Sequence, residues 1–185
     1  MTYRCFIAIN LPNDIKSKLN LLLRELKSKN SSRFITYVKP ENIHITLQFL
    51  GNIDVGKLTE IKEALNEVSQ HYGAFHLEFD GFEAFPNFQN PRVLYIGAKG
   101  DTDAAKKIQK NLGDRLFDLG FITDAREWVS HLTLARIKSP MRLDLDIKIP
   151  KAQFQVTSLE LMRSELTPHG PRYSILESCK LKNES

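Results

Sequence analysis

The chain has 185 residues, 42% of them hydrophobic, and 26 Lys plus Arg stand against 22 Asp plus Glu for a net charge of +4. That length supports one sizeable core and a single domain over residues 1–185. The charges of both signs are interspersed, so the mild positive balance suits a phosphate-bearing ligand without offering any basic tract as a nucleic-acid footprint. The longest stretch without Asp, Glu, Lys or Arg, Asn42 to Ile53, is too short to cross a bilayer. The apolar run near Met1 is interrupted by Asn10 and Pro12, unlike a signal-peptide core. A soluble, cytoplasmic protein is expected, with Cys5 and Cys179 as two distant thiols and no Cys-x-x-Cys.

Taken in chain order, Tyr3 to Asn10 alternates as a strand, with Cys5, Ile7 and Ile9 on one face. Pro12 opens a helix in which Ile15, Leu19, Leu22, Leu23 and Leu26 recur at helical spacing. Residues 33–38 predict a strand, 39–42 a turn around Pro40, and 43–50 another strand stopped by Gly51. A second helix is expected over 55–71, with Gly73 as its cap, and strands over 74–82 and 92–98. The third helix runs from Thr102 to Leu119 and stops at Gly120. Strands are expected at 129–136, 152–163 and 172–180, while 139–151 carries no clear period. Helices and strands mix without a regular βαβ rhythm, so the class is α+β with largely antiparallel sheets.

A faint repeat runs through this pattern. A strand, a helix and then His44-Ile-Thr-Leu47 are followed later by a strand, a helix and His131-Leu-Thr-Leu134. Ile7 to His44 and Leu94 to His131 span equal separations, which suggests two related lobes. In a strand, side chains alternate faces, so each motif presents an imidazole beside a hydroxyl and turns its aliphatic residues inward.

Two such pairs facing each other suit phosphoryl chemistry. Opening a cyclic phosphodiester with water needs a base to activate the water and an acid to protonate the departing oxygen. Imidazole, with an ordinary pKa of about 6.5, does either. Thr46 and Thr133 can donate to non-bridging oxygens, and the planar fork of Arg136 matches phosphate. No metal or other cofactor is required by this scheme. Of the other histidines, His71 suits a helix end, His76 has no motif around it, and His169 sits in a Pro-His-Gly-Pro turn. Tyr37, Phe49 and Phe88 could stack on a base, but packing explains each more simply.

The chain resembles the RNA 2′,3′-cyclic phosphodiesterases, also called 2′-5′ RNA ligases, of the two-histidine (2H) phosphoesterase superfamily. The resemblance is carried by Phe6-Ile-Ala-Ile-Asn-Leu-Pro12 and Val38-Lys-Pro-Glu-Asn-Ile-His-Ile-Thr-Leu-Gln-Phe-Leu-Gly51. It continues through Phe85-Pro86, Pro91-Arg-Val-Leu-Tyr-Ile-Gly97, His131-Leu-Thr-Leu-Ala-Arg136, Leu159 to Leu166 and Gly170-Pro-Arg-Tyr173. It implies a bilobed α+β fold, two pseudo-symmetric, mostly antiparallel sheets flanked by helices, with a central cleft. It implies His44 as proton donor to the ribose 3′-oxygen, His131 as the acceptor that activates water, and a 2′-phosphate product. Thr46, Thr133 and Arg136 would bind the phosphate, and Tyr37 stands where the family often has tryptophan. The implied partner is RNA with a 2′,3′-cyclic phosphate end, tRNA fragments included, with no membrane partner and a monomeric chain. Two other readings stay open at this point: the reverse joining of tRNA halves through a 2′-5′ bond, and an RNA-end-binding module without turnover.

Overall fold

The structure, a computed structural model, describes residues 1–123, 127–168 and 170–182. The elements are β1 (Thr2–Asn10), α1 (Asn13–Lys29), β2 (Ile35–Tyr37), β3 (His44–Asp54), α2 (Leu58–Ser69), β4 (Phe75–Phe85) and β5 (Val93–Gly100). They continue with α3 (Thr102–Asp118), β6 (His131–Ile137), β7 (Gln153–Val156), β8 (Ser158–Thr167) and β9 (Gly170–Lys180). One sheet has the order β3-β1-β8-β9 and the other β2-β6-β5-β4-β7, and every pairing between these strands is antiparallel. The α+β class and the paired lobes expected from the sequence are the observed architecture.

The two lobes repeat one plan. In each, a strand, a helix and a returning strand form a unit: β1-α1-β3 in one sheet and β5-α3-β6 in the other. The third strand of each sheet then pairs with the first member of the unit, β8 with β1 and β4 with β5. The helices bury the stripes their spacing predicts. Ile15, Leu19, Leu22, Leu23 and Leu26 of α1 and Ile108, Leu112 and Leu116 of α3 are all buried. Each such side chain contributes roughly 1.5–3 kcal/mol on leaving water.

One chain crossing and two side-chain hydrogen bonds close the seam between lobes. Val38 N–H, just past β2, donates to the Leu134 carbonyl of β6 at 2.8 Å, and the chain then turns through Pro40–Asn42 into β3. The indole Nε1–H of Trp128 donates to the Thr46 carbonyl at 2.8 Å, joining the start of β6 to the middle of β3. Gln48 Nε2–H donates to the Gln109 carbonyl of α3 at 3.1 Å. Glycine at 113 leaves room for that amide, since a Cβ there would lie 2.7 Å from Gln48 Nε2.

The structure departs from the expected elements in four places. Residues 152–163 form two strands in different sheets: β7 ends at Val156, Thr157 belongs to neither, and β8 begins at Ser158. Strand β3 does not stop at Gly51 but continues to Asp54, with Gly51 at φ +70° absorbing an irregularity opposite Cys5. Helix α2 ends at Ser69 and is capped by Gln70, so Gly73 is not its cap and instead bridges to Lys182. Residues 139–152 have no regular structure, yet Ile147 and Ala152 are buried against the core. His169 lies outside the described residues. Cys5 and Cys179 are free, buried, and separated by β8. No helix among the described residues is long and apolar enough to cross a membrane.

Two glycines with positive φ separate strain from collision. At Gly100 (φ +98°) an added Cβ would lie 2.8 Å from the His76 carbonyl oxygen, whereas at Gly51 nothing stands within 4 Å. Gly100→Ala is therefore expected to destabilise the fold by about 3 kcal/mol, and Gly51→Ala by about 1 kcal/mol. Thermal unfolding checks this; equal losses for the two variants would contradict it.

Candidate active site

The two motif strands have matching burial. Over His44–Leu50 and His131–Ile137 the order is the same: half-buried His, buried aliphatic, half-buried Thr, two buried residues, one exposed, one buried. Strict alternation cannot give two consecutive buried residues, and the register explains them. In lobe one, Thr46 pairs with Ala8 and Gln48 with Ile7, so Leu47 is passed over. In lobe two, Thr133 pairs with Tyr95 and Ala135 with Leu94, so Leu134 is passed over. Each strand carries a bulge one residue after its threonine. The bulge reverses the parity, so Phe49 rejoins the face of His44 and Arg136 rejoins the face of His131.

Neighbouring groups confirm these faces. The Phe6 ring stacks on His44 at 4.7 Å and lies 6.4 Å from Phe49. The positive charge of Arg136 is felt at both His131 and Tyr173, the latter on the opposite sheet. The charge of His131 is also felt at His44. The five residues singled out in the sequence, His44, Thr46, His131, Thr133 and Arg136, thus lie on the facing sides of the two motif strands.

Each imidazole is held the same way. His44 Nδ1–H donates to the Asn42 carbonyl at 2.8 Å, and His131 Nδ1–H donates to the Val129 carbonyl at 2.7 Å. A carbonyl can only accept, so Nδ1 carries the hydrogen and the neutral ring keeps its lone pair on Nε2. In His44 that Nε2 accepts the Thr46 hydroxyl at 3.0 Å. Each ring also sits against two aromatic side chains. Phe6 and Tyr173 surround His44, and Phe85 and Tyr95 present themselves edge-on to His131 at 5.3 Å.

These surroundings set the proton affinities. Burial pushes His44 down to about 4, against an opposing pull from the Asn42 carbonyl, with repulsion from His131 and Lys16 adding to the fall. Burial also lowers His131, the Val129 carbonyl opposes it, and Arg136 lowers it further. Tyr173 is raised by burial and drawn back by Arg136 and Arg4.

Sequence reading missed the aromatic walls. Phe6 and Tyr173 lie in segments that carried the family resemblance, but nothing in their spacing assigns them to the histidine. Tyr37 is not a wall of this cleft. Its hydroxyl shares its one hydrogen between the Leu26 carbonyl of α1 at 3.2 Å and the Asn30 carbonyl just past that helix at 3.1 Å, a packing role. Phe88 is exposed beyond β4, in the loop to β5. Among the described residues, no three His, Cys, Asp or Glu side chains converge as metal ligands.

Two antiparallel lobes that present the same His-x-Thr strand to one cleft define a bilobed two-histidine phosphoesterase. Comparison with known proteins makes the assignment particular. The family model described as LigT like Phosphoesterase matches residues 9–95. The chain is 35% identical to an Archaeoglobus fulgidus protein named RNA 2′,3′-cyclic phosphodiesterase, over 94% of this chain and 97% of that relative. It is 30% identical to a protein of the same name from Methanothermobacter thermautotrophicus, over 98% of this chain and 100% of that relative. Among solved structures, TT0787 of Thermus thermophilus superposes with a TM-score of 0.82 at 26% identity, over 98% of this chain and 100% of that one. The chain belongs to the LigT-like phosphoesterase family.

A depressed histidine favours the neutral ring in the folded protein. Its stabilising share is complete above the unfolded value of about 6.5 and is lost as pH falls toward 4. In an NMR titration of the free protein, both His44 and His131 are expected below 6.5, with His44 near 4. Added inorganic phosphate should raise both. A free-state His44 that titrates at the ordinary value would contradict the buried, repelled environment described above.

Proposed function

We propose that this protein hydrolyses the 2′,3′-cyclic phosphate end of RNA to a 2′-phosphate, using His44 as acid and His131 as base across one cleft formed by the domain 1–185. The observation that carries this reading is the matched pair of imidazoles, each fixed at Nδ1 and each offering Nε2. Relatives covering nearly the whole chain carry the phosphodiesterase name, which supports the substrate class. RNA ends, tRNA fragments among them, are the partner, and the chain works as a monomer in the cytoplasm.

The step runs as an in-line displacement. His131 Nε2 takes a proton from water as the water oxygen attacks phosphorus. The P–O3′ bond breaks, and His44 Nε2–H protonates the departing 3′-oxygen, leaving a 2′-phosphate and a free 3′-hydroxyl. One proton must reside on the pair. The cyclic phosphate supplies the missing condition, because its negative charge beside Nε2 offsets the burial that keeps His44 neutral in the free protein. Arg136 acts twice: it pairs with the phosphate, and its charge adds to the burial that holds His131 toward the neutral form a base requires. Thr46 and Thr133 donate to the non-bridging oxygens, with the Thr46 hydroxyl turning from His44 to do so.

A short RNA ending in 2′,3′-cyclic phosphate should yield the 2′-phosphate, and excess chelator should leave the rate unchanged. His44→Ala and His131→Ala should each lower kcat by about 10²–10⁴-fold with the fold intact. Wild-type turnover in either variant would sink the assignment.

The pH profile gives a separate check. The free site must hold one proton, and both histidines bind it more weakly than usual. kcat/KM should therefore already be falling as pH rises through about 6.5. A kcat/KM still climbing above that point would refute the acid/base pair as assigned.

A further inference from the structure

The two lobes differ at one position that matters for substrate choice. Asn10 of β1 pairs with His44, and the equivalent position on β5, opposite His131, is Gly97. The side chain that fills the space beside His44 is absent beside His131. There the cleft face of the second sheet opens into a recess bounded by Asp80, Glu83, Tyr95, Gly97, Trp128 and Ser130. Gly97 has an ordinary backbone conformation. An added Cβ would meet Asp80 Cβ at 3.6 Å and the Gly81 carbonyl at 3.9 Å, both ordinary contacts. The recess is therefore open because of the residue chosen there and not because the backbone demands glycine.

Its lining has the character of a nucleobase site. Tyr95 and Trp128 supply aromatic walls, and the Tyr95 ring lies 5.3 Å from His131, so the recess adjoins the reacting phosphate. Ser130 is 8% exposed, and its hydroxyl is buried without a hydrogen-bond partner among the described residues. Asp80 is paired with Lys99 at 3.8 Å, whereas Glu83 makes no ion pair among the described residues. Glu83 stands directly across the strand pair from Tyr95, and its charge is felt at the Tyr95 hydroxyl. Among the described residues, the one cation on the lining, Lys106, is paired with Glu127 at 3.5 Å, and the carboxylates of Asp80, Glu83 and Asp103 outnumber it, so a second phosphate is repelled and the occupant is the uncharged part of the nucleotide.

We propose that this recess binds the base of the nucleotide bearing the cyclic phosphate, and that Glu83 selects guanine. The N1–H and the N2 amino group of guanine can donate to the two oxygens of one carboxylate. Uracil offers a single N–H flanked by two carbonyl oxygens, which a carboxylate repels. The inference rests on the hydrolase reading above and adds its specificity.

The four 2′,3′-cyclic mononucleotides test it. The wild type should process cyclic GMP with a kcat/KM about tenfold above cyclic UMP, the scale of one charge-assisted hydrogen bond. Gly97→Leu, which fills the recess, should bring the two within about twofold of each other. Glu83→Gln alters an exposed side chain and so preserves the fold. Its amide both donates and accepts, and the preference should shift toward uracil. Equal turnover of all four nucleotides by the wild type would overturn the subsite while leaving the hydrolase reading intact. A guanine preference that survives both substitutions would overturn it as well. No turnover of any of the four while the short RNA is still cleaved would overturn the subsite, whereas no cleavage of the RNA either would refute the hydrolase reading beneath it.

Discussion

The site depends on a bulge in each motif strand. Without it, a side chain five residues after a histidine would face away from it, because strand neighbours alternate with period two. Passing over Leu47 and Leu134 reverses that parity and sends Phe49 and Arg136 back to the histidine face. The same bulges let Leu47 and Gln48, and Leu134 and Ala135, point inward as adjacent pairs. Core and site therefore share one irregularity. Removing a bulge would expose apolar surface and withdraw the arginine together, and this coupling gives a physical reason for both lobes to have it.

A repeated scaffold does not make a symmetric site. Where lobe two has Arg136, lobe one has Phe49, and where lobe one has Asn10, lobe two has Gly97. The aromatic pair around His44 comes from β1 and β9, while the pair around His131 comes from β5 and β4. A displacement reaction needs this inequality. Its acid must be able to hold a proton when the anion arrives, and its base must stay neutral. Burial lowers both imidazoles, His44 to about 4, and the guanidinium of Arg136 adds its repulsion at His131 alone, so the two rings meet an incoming anion in unequal surroundings.

Much of this was legible in the sequence because periodicity reports burial directly. The helical stripes of α1 and α3, the antiparallel α+β class and the two His-x-Thr-Leu strands all follow from apolar spacing. What was not legible depends on pairing partners. Nothing in the run from Ala152 to Arg163 marks Thr157 as the point where the chain leaves one sheet for the other, since apolar residues continue on both sides. The bulges are equally silent, because Leu47 and Leu134 fit a strand in either parity. Arg136 was placed near the phosphate by its distance along the chain and by family resemblance. Its orientation is a property of the register with β5. Tyr173 was invisible for the same reason: it reaches His44 only because β9 folds back on β8.

The electrostatics explain how so mildly charged a protein can handle an anion. Its cations are dispersed over the surface, many in exposed pairs such as Lys62–Glu177 and Arg115–Glu67, which add little individually. At the cleft the situation is different. Burial starves both imidazoles of solvent, so in the free protein they resist protonation, and repulsion from His131 lowers His44 further. In the proposed mechanism a phosphate entering between them would meet Arg136 and two rings able to take up a proton once negative charge is nearby. In that mechanism the anion would create the protonation state that its own cleavage requires. On that reading binding and activation would be one electrostatic event, and a dense basic surface would add affinity without adding to that event.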